Sequence, residues 1–140
     1  MIELDNQTSL EVNEEFLNTI ASTLTTKDIE LIIVTKEQMQ EINKEQRGID
    51  ASTDVLSFPY EDMPMAPLGS IVISSWHIQK MAGELKHSLS DELSLLFIHG
   101  LLHLSGFDHE VDAGQMRQEE EKLIKKFNLP DSLIIRNEEI

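Results

Sequence analysis

Between Leu93 and Leu104 the chain is apolar nearly all the way round a helix, and no other stretch constrains the fold so strongly. A helix with a polar face lies at the surface, and one without such a face is buried. The segment HSLSDELSLLFIHGLLHLSG, residues 87–106, therefore predicts a buried central helix. Ser88 or Ser90 can cap it, and acidic residues fill its first turn. Gly106 supplies a left-handed stop.

The remaining elements follow from shorter patterns. MIELDNQ alternates and predicts an edge strand. Leu10, Val12, Phe16, Leu17, Ile20 and Leu24 recur at close to a helical period. IELIIVTK is rich in β-branched residues and predicts a strand. KEQMQEINKEQRG predicts a helix with Met39 and Ile42 inward and Gly48 as its stop. TDVLSFPYE predicts another strand, which Pro59 either ends or places at a sheet edge. EDMPMAP is a loop, LGSIVISS a buried strand, and Trp76 to Leu85 a helix. DAGQMRQEEEKLIKKF predicts a last, amphipathic helix, with Pro130 just beyond. This order predicts an α+β domain: a small mixed β-sheet of about four strands packed with about five helices. One domain is expected over residues 1–140, long enough to bury a core without staples.

Three of the five histidines fall in FIHGLLHLSGFDHE, residues 97–110. His99 and His103 are four apart and share a helix face. If Gly106 ends the helix, the chain turns back and His109 can reach the same point. Imidazoles in an apolar segment lose hydrogen bonds unless something replaces them, and a metal ion does so. The absence of cysteine removes disulfides and thiolate ligands. Three neutral imidazoles suit Zn2+, although iron, nickel and copper accept the same donors. Three protein ligands leave a fourth tetrahedral position open, which marks catalytic rather than structural zinc. The metal site is expected on the buried helix and the turn that follows it. His77 and His87 stand alone and are expected at the surface.

The frame H-x-x-x-H-x-x-G-x-x-H is shared with metzincin proteases, whose general base is a glutamate directly after the first histidine. Here that position is Gly100. Glycine cannot accept a proton, so peptidase activity is not expected.

HGLLHLSGFDH also resembles the H-G-x-L-H-L-x-G-[YF]-D-H signature of the bacterial YbeY family. NKEQRGIDASTDVLSFP, residues 43–59, resembles a second block of that family, N-x-x-x-R-x-x-x-x-x-TDVLSFP. The resemblance covers nearly the whole chain. It implies a metal-dependent, single-strand-specific endoribonuclease acting in ribosomal RNA maturation, at the 3′ end of small-subunit RNA, and in ribosome quality control. It places His99, His103 and His109 on the metal-ligand positions and Arg47 near the metal pocket, with His99 and Arg47 as catalytic residues. A guanidinium there fits phosphate geometry and keeps its charge. Thr53, Asp54 and Ser57 either orient the site or close the strand. Asp54 and Asp108 are candidate carboxylates for a histidine N–H. Met116 and Glu120 resemble a family M-x-x-x-E pattern and are weighted as packing. Where many members have L-G-D-I, this chain has LGSI, so Ser70 receives no catalytic role.

The charge balance bears on partners. Eleven basic residues against 26 acidic ones give a net charge of −15. Polyanion binding relies on clustered cations, which the bulk field here opposes. A single-stranded or ribosomal RNA substrate must therefore meet a local basic or metal site, and a small-subunit ribosomal protein and an assembly GTPase are expected partners that aid it. DNA is not an expected partner. The N-terminus lacks a signal-peptide pattern, and no apolar run reaches membrane-span length. A cytoplasmic protein without a membrane partner is expected. Two other readings use the same residues: a ribosome-assembly binding module with a structural metal, and a metallohydrolase of small substrates.

Overall fold

Strands apolar on both faces must be covered on both faces, and two segments have that character. In β2 (Ile29–Val34), Ile29, Leu31 and Ile33 are buried on one side, with Val34 on the other. All six residues of β4 (Gly69–Ser74) are buried. They lie side by side at the centre of a four-stranded sheet, flanked by β1 (Ile2–Asn6) and β3 (Val55–Pro59), in the order β1-β2-β4-β3. β1, β2 and β4 are parallel and β3 is antiparallel to β4, so the sheet is mixed, as expected. Pro59 pairs with Gly69 at the end of the β3 edge strand, where a missing N–H costs least. The computed structural model describes residues 1–130, and residues 131–140 of the expected domain lie outside the described residues.

Among the described residues five helices pack on the sheet: α1 (Glu14–Ser22), α2 (Lys36–Arg47), α3 (Ser75–Leu85), α4 (Leu89–Leu104) and α5 (Gln115–Phe127). α2 covers one sheet face, with Met39 against Val34, Leu56 and Val72. On the other face, Leu31, Ile33, Ile71 and Ile73 meet α4, around which α1, α3 and α5 pack. Twelve of the sixteen α4 residues are buried, because helices or sheet surround it on most sides. The segment that is apolar all round thus becomes the centre of the larger core.

Local chemistry sets the helix limits. Thr35 and Gln38 form a reciprocal capping box at the start of α2. Asn13 accepts from the Phe16 N–H at 3.2 Å and starts α1 there. Leu10 and Val12, expected inside that helix, precede it and pack from the incoming chain. Their spacing imitates a helical period, but an Asn cap outweighs it.

Gly69 marks a close approach of β4 to its neighbours. A Cβ there would lie 2.5 Å from the Phe58 carbonyl oxygen and 2.6 Å from Leu104 Cδ2. One obstacle is backbone, which cannot rotate away. Gly69→Ala is expected to destabilise the fold by about 3 kcal/mol. A wild-type denaturant midpoint for that variant would overturn this account.

Candidate metal centre

α4 is built to end where its histidines are needed. Ser88 accepts from the Asp91 N–H at 3.0 Å, and Asp91 and Glu92 complement the positive helix end. At the other end Gly106 takes φ 98°. Its N–H donates to the His103 carbonyl at 3.1 Å and the Phe107 N–H to the Leu102 carbonyl at 3.0 Å. This is the Schellman pairing, which reverses the chain. Beyond it, Asp108 accepts from the Glu110 N–H at 3.0 Å and tightens the turn that carries His109. Asp112 then receives the N–H groups of Gly114 and Met116 and starts α5.

The result brings His99, His103 and His109 together, with one ring nitrogen from each inside a 4.8 Å span. Ring centroids stand 4.8 Å apart for His99 and His103, 5.3 Å for His99 and His109, and 5.6 Å for His103 and His109. His99 Nδ1 lies 2.6 Å from Glu120 Oε2, and His103 Nδ1 lies 3.0 Å from the Phe107 carbonyl oxygen. A carbonyl and a carboxylate only accept, which assigns the hydrogen to Nδ1 in both rings. Each neutral ring then carries a bare lone pair on Nε2, and these two nitrogens face each other at 3.2 Å. Neither can donate to the other, so the lone pairs repel unless a cation lies between them. Ligands at about 2.0–2.1 Å on a tetrahedral ion stand about 3.3–3.4 Å apart, which the observed spacing nearly matches. Burial, then the neighbouring His99, pushes the His103 imidazole below its ordinary value and keeps it in the neutral form that binds metals. The donor set therefore fits one metal ion.

Arg47, at the C-terminal end of α2, is exposed and lines a cleft of about 380 Å³ together with Ser57, His103 and Asp108. The cleft forms because β3 lies against the C-terminal half of α4. Ser57 Oγ donates to the Gly100 carbonyl at 3.2 Å and ties the two elements together. Gly100 itself is pressed onto the sheet: a Cβ there would lie 2.9 Å from Ile71 Cγ2 and 3.1 Å from Ser57 Oγ. Its glycine is required by helix–sheet contact, apart from any lack of a base.

Asp54 accepts its own strand's Val55 N–H at 2.8 Å, and Asp108 accepts the Glu110 N–H in the turn and lines the cleft beside His103. The carboxylate placed on a ligand imidazole is Glu120, which was weighted as packing. Its i, i+4 relation to Met116 was the available signal, but apolar spacing gives no sign of what a buried carboxylate faces. Met116 is a core residue, as expected. His87 is not a surface residue: its Nε2 lies 2.8 Å from Glu92 Oε1, with side chains 10% and 1% exposed. His77 is half-buried with Nδ1 2.9 Å from Ser74 Oγ, and desolvation holds its pKa below the ordinary value. Ser70 is buried within β4.

A mixed sheet backed by a buried helix that presents two imidazoles, with a third converging from the turn beyond it, defines a class, the α+β proteins with a three-histidine site able to hold a metal ion. Comparison narrows that class. The family model described as Endoribonuclease YbeY matches residues 2–128, and this chain belongs to that family. Proteins named Endoribonuclease YbeY from Sulfurimonas denitrificans and Aliarcobacter butzleri are each 59% identical to it, over 99% and 98% of this chain and 99% of each relative. One from Helicobacter pylori strain 26695 is 54% identical over 99% of this chain and 100% of its own length. The solution structure of TM1509 from Thermotoga maritima superposes with a TM-score of 0.63 at 25% identity, covering 91% of this chain and 89% of that one. Among the described residues no helix is long and apolar enough to cross a membrane.

Proposed function

We propose that this protein is a metal-dependent endoribonuclease that cleaves single-stranded RNA in ribosomal RNA maturation, at the 3′ end of small-subunit RNA, and in ribosome quality control. One observation carries the reading: Arg47 and the ligand imidazole of His103 open onto the same cleft. His99, His103 and His109 would hold the ion, and zinc suits three neutral imidazoles. When bound, such an ion polarises a phosphate oxygen and lowers the pKa of water. The chain's own contribution is placement. The Glu120 carboxylate and the Phe107 carbonyl hold the Nδ1 hydrogens of His99 and His103, so both Nε2 atoms stay free as ligands. Arg47 binds the scissile phosphate and offsets the negative charge that develops on it. We assign the activity to one domain spanning the chain and to the cytoplasm. The net charge of −15 supports delivery to RNA by a basic small-subunit ribosomal protein and an assembly GTPase.

Cleavage of a single-stranded RNA, with and without chelator, tests the proposal. Arg47→Ala is expected to lower the rate about tenfold to a hundredfold, with Arg47→Lys recovering part because lysine lacks the bidentate fork. Chelator-insensitive cleavage, or an Arg47→Ala enzyme as fast as wild type, would sink it.

A further inference from the structure

We propose that Glu120 is the positioning residue of the metal centre, and that through it metal loading is coupled to the docking of α5. This rests on the triad's holding an ion and not on RNA being the substrate.

The first ground is that the sequence position calls for something else. The buried residues of α5 are Met116, Glu120 and Leu123, a single stripe at spacings of four and three that faces the core. A helix docked only by packing would carry an apolar residue in the middle of that stripe. This one carries a carboxylate that is 1% exposed. Removing a carboxylate from water costs several kcal/mol, and a well-packed set of apolar residues in place of a whole buried ionic pair is often neutral or stabilising, whereas losing one member leaves the other unsatisfied. Stability alone does not account for Glu120.

The second ground is geometric. Glu120 Oε2 lies 2.6 Å from His99 Nδ1, on the side of the ring away from the triad. His99 is itself 7% exposed, in the central helix. A carboxylate there fixes the tautomer, locks the ring plane and raises the electron density at Nε2. His103 takes its orientation from a carbonyl three residues past the end of its own helix. The orientation of His99 comes from Glu120 on α5, sixteen positions beyond the end of α4 in the sequence. The two partners also differ in kind: only Glu120 brings charge.

The coupling follows from linkage. An ion on Nε2 makes Nδ1–H a stronger donor, which tightens the contact to Glu120 and so holds α5 against α4. By reciprocity, anything that loosens α5 weakens metal binding equally. The loop carrying His109 joins α4 to α5, so it too is tethered at both ends by the same contact.

The test uses the full-length protein, stripped of metal and titrated with Zn(II) against a chromogenic chelator. Co(II) absorption reports ligand geometry, and amide exchange reports α5. Glu120→Leu is expected to lower the denaturant midpoint, because it leaves the buried His99 Nδ1–H without its acceptor, while the metal affinity of the folded protein falls about tenfold to a hundredfold. Glu120→Gln, which keeps the shape and an acceptor oxygen without the charge, is expected to fall between Glu120→Leu and wild type. In wild type, metal should slow exchange over residues 115–127; in Glu120→Leu that slowing should be largely lost. A folded Glu120→Leu or Glu120→Gln protein with wild-type affinity and an unchanged Co(II) spectrum overturns the proposal. If Glu120→Leu does not fold, Glu120→Gln decides alone by the same readouts. If wild type takes up no metal, the triad reading fails first and this inference with it. If it binds metal but cleaves no RNA, only the proposed activity fails.

Discussion

His103→Ala should bind metal more than about a hundredfold more weakly than wild type, and RNA cleavage should fall by at least as much. Losing an outer partner of a ligand costs about tenfold to a hundredfold, and losing a ligand costs more. Two features make His103 the most damaging of the three to remove. It shares the 3.2 Å Nε2 contact with His99, so its loss dissolves the helical half of the site. It also lines the Arg47 cleft, so the same truncation empties the place where ion and guanidinium meet. Stability should change far less. The side chain is half-buried, and its removal relieves a lone-pair repulsion in the metal-free protein. Isothermal titration with Zn(II), paired with single-stranded RNA cleavage, separates the two effects. Cleavage by His103→Ala at the wild-type rate would mean that the triad is structural.

Gly100→Glu should be the most damaging change to the fold, although it restores the residue that metzincins carry in this frame. The glutamate would not become a general base. Its Cβ would start 2.9 Å from Ile71 Cγ2, on a residue that is fully buried, and 3.1 Å from the Ser57 hydroxyl that holds β3 to α4. Overpacking of this kind costs about 1–3 kcal/mol, and an unpaired buried carboxylate adds several more. A loss of about 5 kcal/mol is expected, much of the stability of an ordinary domain. Gly100→Ala should lose only about 1–2 kcal/mol, since better helix propensity returns about 1 kcal/mol of the overpacking cost. Denaturant midpoints for both variants measure this. A Gly100→Glu protein that is folded at wild-type stability would show that α4 can retreat from the sheet.

The local elements were legible because their signals are local. Asn13, Thr35 and Ser88 each accept a hydrogen bond from an N–H three residues ahead, and no distant contact is needed to place them. The Schellman turn at Gly106 is equally short-range, and it is why His99, His103 and His109 could be read as one set. What failed were assignments that depend on distant neighbours. His87 looked isolated because its partner, Glu92, lies on the next helix, across a cap that sequence spacing does not measure. Asp54 and Asp108 are candidates from the two sequence motifs, which carry no distance to a ring. Glu120 reads as packing in the sequence because only the docking of α5 brings it to His99.

The sequence by itself determined that α4 is buried, that Gly106 turns the chain just beyond its end, and that three imidazoles converge there. Hydrophobic periodicity, capping and left-handed glycine act over one or two turns and are written in consecutive residues. Only the tertiary structure decided which carboxylate orients His99, why Gly100 has no side chain, and that Arg47 shares a cleft with His103. Each depends on the separation of atoms on different elements. That separation is set by how β3, β4 and α5 pack around α4, with tolerances of a few tenths of an ångström.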